Sequence, residues 1–351
     1  MAPTSPELKP MVPAAQLMST AGAFMQSQAV YAAAHLGVAD ALAAGPLPAA
    51  KLAAAVGAKE GHLRRLLRLL VLVGIFDEPE PGVYANSQAS ELLRKDHPHT
   101  HRDLVLHMGD ESYWGWGKLV DSLAPGTPDT AFMIASGGLS FWQWAERPEN
   151  QAVQERFNRA MTNHSLVGVP IILKEYDWAQ HANSTVADIG GGEGLFLSSL
   201  LRQHPGMRGI LFDRPQVMEE AQAVWSSEHR DLQSRAELVA GNFFASVPAA
   251  DVYFLKFILH DWNDEDSTKI LRTLRQAAPP TARLLLAEAA MPDDKPWEPS
   301  KASLDLQMMV MAGGKERTVG EWRALLASGG FRLESVTPLS NGSAIIAALP
   351  E

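Results

Sequence analysis

The run Leu255-Lys256-Phe257-Ile258-Leu259-His260-Asp261-Trp262-Asn263-Asp264 puts a histidine where an apolar stretch gives way to acids. An aryl hydroxyl titrates near ~10 and attacks poorly while it keeps its proton, whereas an imidazole, near ~6.5, can take that proton. His260 is thus a candidate general base, although a histidine capping the next helix would read the same way in isolation. A second feature is the glycine turn Asp188-Ile189-Gly190-Gly191-Gly192-Glu193-Gly194. Its glycines admit a ligand close to the backbone. The dinucleotide fingerprint fails in both registers, because Leu195 and Leu197 stand where the third glycine would fall, and the phosphate loop is absent. What remains, G-x-G-x-G after an acid, suits an adenosyl ligand whose other end is an amino acid. Asp213, about 20 residues further on, ends the next apolar run, where a carboxylate can accept both ribose hydroxyls.

These residues need a scaffold, and the pattern after Asn183 supplies one. STVADIG, GILFD, AELVAG, DVYFLKFIL and ARLLLAEA read as short strands. LFLSSLLRQ, Gln216–Trp225 and Glu265–Gln276 read as the helices between them, and FRLESVTP with SAIIAAL reads as a closing hairpin with one antiparallel strand. This alternation predicts an α/β, doubly wound parallel sheet over residues 183–351. Residues 1–100 read as a separate, mostly helical domain. Short Ala- and Leu-rich helices over 11–75 lead into the amphipathic segment His62–Phe76 and a hairpin turn at Glu78–Tyr84, a winged-helix-like succession. Residues 101–182 read as a helical linker dense in Tyr113, Trp114, Trp116, Phe132, Phe141, Trp142, Trp144 and Phe157. Helical core accounts for most of these rings, and their crowding ahead of the catalytic motifs also fits the lining of an apolar pocket.

The remaining composition narrows the class. The chain has 351 residues, no cysteine, and a formal charge of −10 from 30 basic and 40 acidic side chains. Disulfide, thiolate and iron–sulfur chemistry are excluded, and a general nucleic-acid binder is disfavoured because phosphate contacts need clustered Lys and Arg. In the winged-helix reading, Arg64, Arg65 and Arg68 are balanced by nearby acids, so packing or oligomerisation is preferred to a ligand-sensing DNA regulator. No apolar run is of membrane-spanning length, and MAPTSPELKP has no secretory pattern, so a cytoplasmic location is expected, with no membrane partner. The alternating His97, His99 and His101 suggest zinc only weakly, since no partner ligand follows at a recognisable spacing; no metal is expected.

From about Leu17 onward the chain resembles the plant caffeic-acid-type and bacterial antibiotic-pathway O-methyltransferases, whose motifs recur in order as FNRAMTNHS, DIGGGEG, LKFILHDWND, LLLAEAAMP and GGKERT. The resemblance implies a Rossmann-like seven-stranded sheet and an N-terminal dimerisation domain, hence a homodimer. It also implies S-adenosyl-L-methionine as cofactor, S-adenosyl-L-homocysteine as product, and a small aromatic hydroxyl compound as substrate. By the same comparison His260 is the base, and Glu288 and Glu316 are the acids that orient it. The cofactor residues are Ser165, Asp188, Gly190, Gly192, Asp213, Asn242, Phe243 and Lys256. Asn242 departs from the family's aspartate. Substrate positions fall on Phe157, Met161, His164, Trp142, Met308 and Met309, with Met311 beside them; the segment between Met309 and Gly313 is shorter than in the plant relatives. A relative that keeps the cofactor but methylates nitrogen is the alternative.

Overall fold

A computed structural model of the protein describes residues 13–128 and 130–351. The segment MAPTSPELKP, expected to lack a secretory pattern, lies outside the described residues. The chain divides into two compact units, one reaching to Asp110 and one comprising Glu111–Glu351.

In the first unit, helices Phe24–Leu36, Ala49–Ala55 and Glu60–Leu72 pack around one core. Leu63, Leu67 and Leu70 recur at helical spacing and are all buried, so the amphipathic face read from the sequence is the face that packs inward. Strands Phe76–Glu80 and Val83–Asn86 then form the expected hairpin, and Leu47–Pro48 adds a short third strand. Gly82 turns the hairpin at φ 78°, where a side chain would be strained.

The second unit is built on a seven-stranded sheet whose strands, in chain order, are β1 Thr185–Ile189, β2 Arg208–Asp213, β3 Ala236–Ala240, β4 Val252–Lys256, β5 Arg283–Glu288, β6 Phe331–Pro338 and β7 Ala344–Pro350. The spatial order is β6-β7-β5-β4-β1-β2-β3. The first five run parallel, and β7 lies antiparallel to both β5 and β6, as the closing hairpin predicted. Side chains along a strand alternate faces, and two separate cores follow from it. Val186, Phe254, Leu285 and Ile345 pack on one side, whereas Ala187, Leu255, Leu286 and Ile346 pack on the other. Covering both faces are the helices α1 Gln151–Glu175, α2 Leu195–Gln203, α3 Pro215–Glu228, α4 Asp264–Ala277 and α6 Val319–Ser328, whereas α5 Pro299–Met311 packs on the short helices before α1. Strand order reverses between β1 and β4, so the crevice for a ligand lies beyond their carboxyl ends. Asp188, Asp213, Lys256 and Glu288 all occupy such ends.

Between Glu111 and α1 the chain forms short helices around Phe132, whose ring meets Trp114, Phe141 and Trp144 at 5.5–5.6 Å between centroids. Most of the aromatic density is therefore core. Met311 belongs to this core too: it is 5% exposed and packs with Val310 against Phe132 and Phe141.

Candidate active site

His260 lies in a single tight helical turn, Leu259–Asp261, just past the end of β4. It is buried, and its Nδ1 stands 2.9 Å from Glu316 Oε1. Glu316 is itself buried, so its carboxylate fixes the ring and favours the tautomer with the proton on Nδ1. The second oxygen of Glu316 is buried with no hydrogen-bond partner. Glu288 behaves differently from an acid bonded to the ring. Its Oε1 accepts from the backbone N–H of Ile258 at 3.0 Å and of Leu259 at 2.9 Å, so it holds the peptide leading into the histidine rather than the imidazole. Its Oε2 is left buried without a partner. The acid nearest Nε2 is Asp261, with Oδ1 at 3.5 Å.

Burial alone would disfavour the imidazolium, but the charges of Asp261 and Glu288 and the bond from Glu316 outweigh it and raise the His260 pKa to about 9. Burial likewise lifts the Glu288 carboxyl to about 7 and Asp261 to about 6. A base must be neutral to accept a proton. Activity is therefore expected to rise with pH along an acid limb set above the ordinary ~6.5 of imidazole. Glu316→Gln removes one of the raising groups, and the limb should move toward lower pH, read from kcat/KM profiles of the two proteins. A limb that stays in place would detach it from His260.

The glycine turn packs directly on this segment. A Cβ on Gly190 would come 2.5 Å from Ile258 Cδ1, and Gly190 and Gly192 have φ of 72° and 59°. Asp213 Oδ2 accepts from Gly192 N at 2.9 Å, which folds the turn back over the end of β2. Asp188 is buried beneath it with Oδ2 unpartnered, and its pKa is lifted to about 7 by burial. Burial pushes the Lys256 ammonium the opposite way, below its usual range, against the charges of Asp188 and Glu288. Asn242 is exposed, and its Oδ1 accepts from Phe244 N at 2.9 Å, so that oxygen closes a local turn. Phe243 and Phe244 meet Trp262 edge-on at 5.9 and 4.8 Å.

The other sequence candidates lie on α1, on the short helix Phe141–Ala145 and on α5. Ser165 is buried on α1 and donates to Met161 O at 2.8 Å. His164, on the same helix, reaches Phe257 at 6.4 Å, and Phe257 reaches the His260 ring at 5.3 Å. Phe157 packs on Trp142 at 5.6 Å, and Trp142 carries the Arg214 guanidinium 5.4 Å above its ring, next in sequence to Asp213. Met308 and Met309 are half-buried on α5, which is tied to the segment of Glu316 because Glu316 N donates to Asp305 Oδ1 at 2.9 Å. Asp261, Gly314 and Arg317 were not singled out from the sequence. Asp261 was adjacent to His260 in plain view, whereas the other two act through contacts distant in the chain. Among the described residues no group of three His, Asp or Glu side chains could hold a metal ion, and no helix is long and apolar enough to cross a membrane.

Known proteins share the sequence and the fold of this chain. The O-methyltransferase domain matches residues 116–332 and the O-methyltransferase dimerisation domain residues 18–96. The phenazine O-methyltransferase PhzM of Lysobacter antibioticus is 38% identical over 326 residues, covering 92% of each chain. The mitomycin biosynthesis 6-O-methyltransferase of Streptomyces lavendulae is 38% identical over 320 residues, covering 90% of this chain and 88% of its own. The crystal structure of NcsB1 from neocarzinostatin biosynthesis, in complex with S-adenosylmethionine and 2-hydroxy-5-methyl naphthoic acid, is 33% identical. It superposes with a TM-score of 0.78 over 93% of this chain and 96% of that one. A dimerisation domain followed by an O-methyltransferase domain, with a histidine and its acids at the carboxyl end of the sheet, means that this chain belongs to the O-methyltransferase family.

Proposed function

We propose that this enzyme transfers a methyl group from S-adenosyl-L-methionine to a hydroxyl of a small aromatic secondary metabolite, of phenolic, N-hydroxylated, quinone or polyketide type, with His260 as general base. The observation that carries the reading is the His260–Glu316 pair at 2.9 Å, buried beside a glycine turn whose Gly192 N–H is held by Asp213 at the end of β2. Glu316 orients the ring and stabilises the imidazolium formed when Nε2 takes the proton, and Glu288 holds the backbone on which the ring is mounted.

The residues present suit the cofactor. The positive-φ glycines leave room where a side chain would obstruct, Asp213 offers its remaining acceptor capacity to a ribose, and Phe243 offers an adenine a ring face. Asp188, with an unpartnered buried oxygen, and the desolvated Lys256 would meet the charged amino-acid end together with Ser165, while Asn242 keeps amide donors for the adenosine. When bound, S-adenosyl-L-methionine supplies a methyl already activated on a sulfonium, leaving S-adenosyl-L-homocysteine. The chain's own work is then to orient the hydroxyl, remove its proton and exclude water. Phe157, Trp142, Met161, His164, Met308 and Met309 form the slot for a flat ring in this reading, methionine suiting adaptable shapes. A homodimer fits the dimerisation domain, whose first helices expose Leu17, Met18, Phe24 and Met25.

The test is methyl transfer from isotope-labelled cofactor to matched polycyclic aromatics carrying either a hydroxyl or an amine at the same position. Methyl ethers are expected. Labelled amines with the hydroxyl series untouched would assign the enzyme to N-methylation instead.

A further inference from the structure

Arg317 has no solvent exposure, a rare setting for a guanidinium. Its donors converge on the turn that carries His260. Nη1 donates to Leu259 O at 2.9 Å, Nη2 to Trp262 O at 2.8 Å, and Nε to Asp264 Oδ1 at 2.9 Å. Nη2 also reaches Ser267 Oγ at 3.3 Å, and Nη1 reaches Lys315 O at 3.4 Å. The two carbonyls, Leu259 and Trp262, bracket His260 and Asp261. Ser267 Oγ lies 3.2 Å from each of them, so the same pair is gripped twice. The guanidinium stacks 5.1 Å from the centre of the Trp322 ring, whose Nε1 donates to Ala289 O at 2.8 Å, next in sequence to Glu288. Arg317 also pairs in parallel register with Ala290 and directly follows Glu316. One side chain thus connects the segment of each acid to the backbone on both flanks of the base.

We infer that Arg317 is a positioning residue for methyl transfer, setting the depth and orientation of the His260 ring against Glu316 and the reacting hydroxyl. Only a planar fork can meet two carbonyls three residues apart and a carboxylate together; a lysine brings the charge but not the geometry. The inference rests on His260 being the base. The charged groups facing that ring are Asp261 from its own turn, Glu288 from β5 and Glu316 from the segment after α5. A loosened turn would carry the imidazole away from Glu316 and lower its proton affinity.

The experiment compares the full-length protein with Arg317→Lys, Arg317→Ala and His260→Ala. S-adenosyl-L-methionine affinity is measured by calorimetry, together with KM, kcat and the pH profile of kcat. Arg317→Lys is expected to keep cofactor affinity and KM within a few-fold, to lose about 100-fold in kcat, as a misplacement of about 1 Å would cause, and to shift the acid limb to lower pH. Millimolar guanidinium should restore part of the activity of Arg317→Ala and none to His260→Ala. An unchanged kcat in Arg317→Lys overturns the inference. So does a loss in which cofactor affinity, thermal midpoint and kcat fall together with the acid limb unmoved, which would mean a general structural support. An active His260→Ala, by contrast, removes the base reading itself.

Discussion

His260→Ala is expected to lower kcat by about 10²–10⁴-fold while leaving S-adenosyl-L-methionine affinity nearly unchanged. The size follows from what is lost. Without Nε2 the hydroxyl must reach the reactive anion by giving its proton to water, and an aryl hydroxyl near ~10 is ionised to only about one part in a thousand at pH 7. The selectivity follows from where the ring sits. Its one hydrogen bond is to Glu316, and of the groups that suit the cofactor Asp188 and Asp213 lie on other strands, Gly192 lies in the glycine turn, and Lys256 ends β4 without bonding the ring. The alanine variant should also recover in part at high pH, where substrate ionises unaided. Single-turnover rates against pH, beside calorimetric cofactor binding, separate these terms. A variant retaining more than a tenth of the parent rate at neutral pH would show that the hydroxyl is already ionised when it reacts, and His260 would then be only a scaffold residue.

That such a prediction can be framed owes much to what the sequence makes local. The apolar strands end in Asp188, Asp213, Lys256 and Glu288, so the crevice could be drawn as soon as the alternation of strands and helices was recognised. Glycines in DIGGGEG advertise backbone shape directly, and three of them do adopt positive φ. The aromatic run before α1 was less transparent. Trp142 carries Arg214 on its ring and Phe157 packs on Trp142, yet both also pack at the edge of the core in which Phe132, Phe141 and Met311 are buried. Helical spacing is the same for a pocket wall and a packing face, so periodicity could not divide them. The division of labour between the acids was also hidden. Glu288 and Glu316 look equivalent as carboxylates near a histidine, yet one bonds the ring and the other the peptide N–H groups before it, a distinction that exists only in three dimensions. Phe257, with φ 52°, was unreadable for the same reason: nothing in a phenylalanine announces a left-handed backbone.

Gly314→Ala is expected to abolish most of the activity, by about 100-fold or more, through one added methyl group that touches no reactant. A Cβ at Gly314 would collide with His260 O and fall 2.5 Å from Asp261 C and 2.7 Å from Trp262 N. All three are backbone atoms, so no side chain can swing aside; either the Leu259–Asp261 turn moves or the segment leading into Glu316 does. Both movements separate the ring from its acid. They also work against Arg317, which grips the same turn at Leu259 and Trp262. The cost to folding should be smaller, about 1–3 kcal/mol as overpacked positions usually show, because the rest of the sheet is untouched. Gly57→Ala provides the comparison. That glycine has φ 66° with nothing within 4 Å of its added Cβ, so it should lower the thermal midpoint through backbone strain and leave kcat unaltered. Calorimetric melting and kcat measured on both variants give the answer. Equal losses of kcat per degree of lost midpoint would make Gly314 one more stability position; a fall in kcat far out of proportion to its destabilisation would mean that the His260 turn tolerates no displacement.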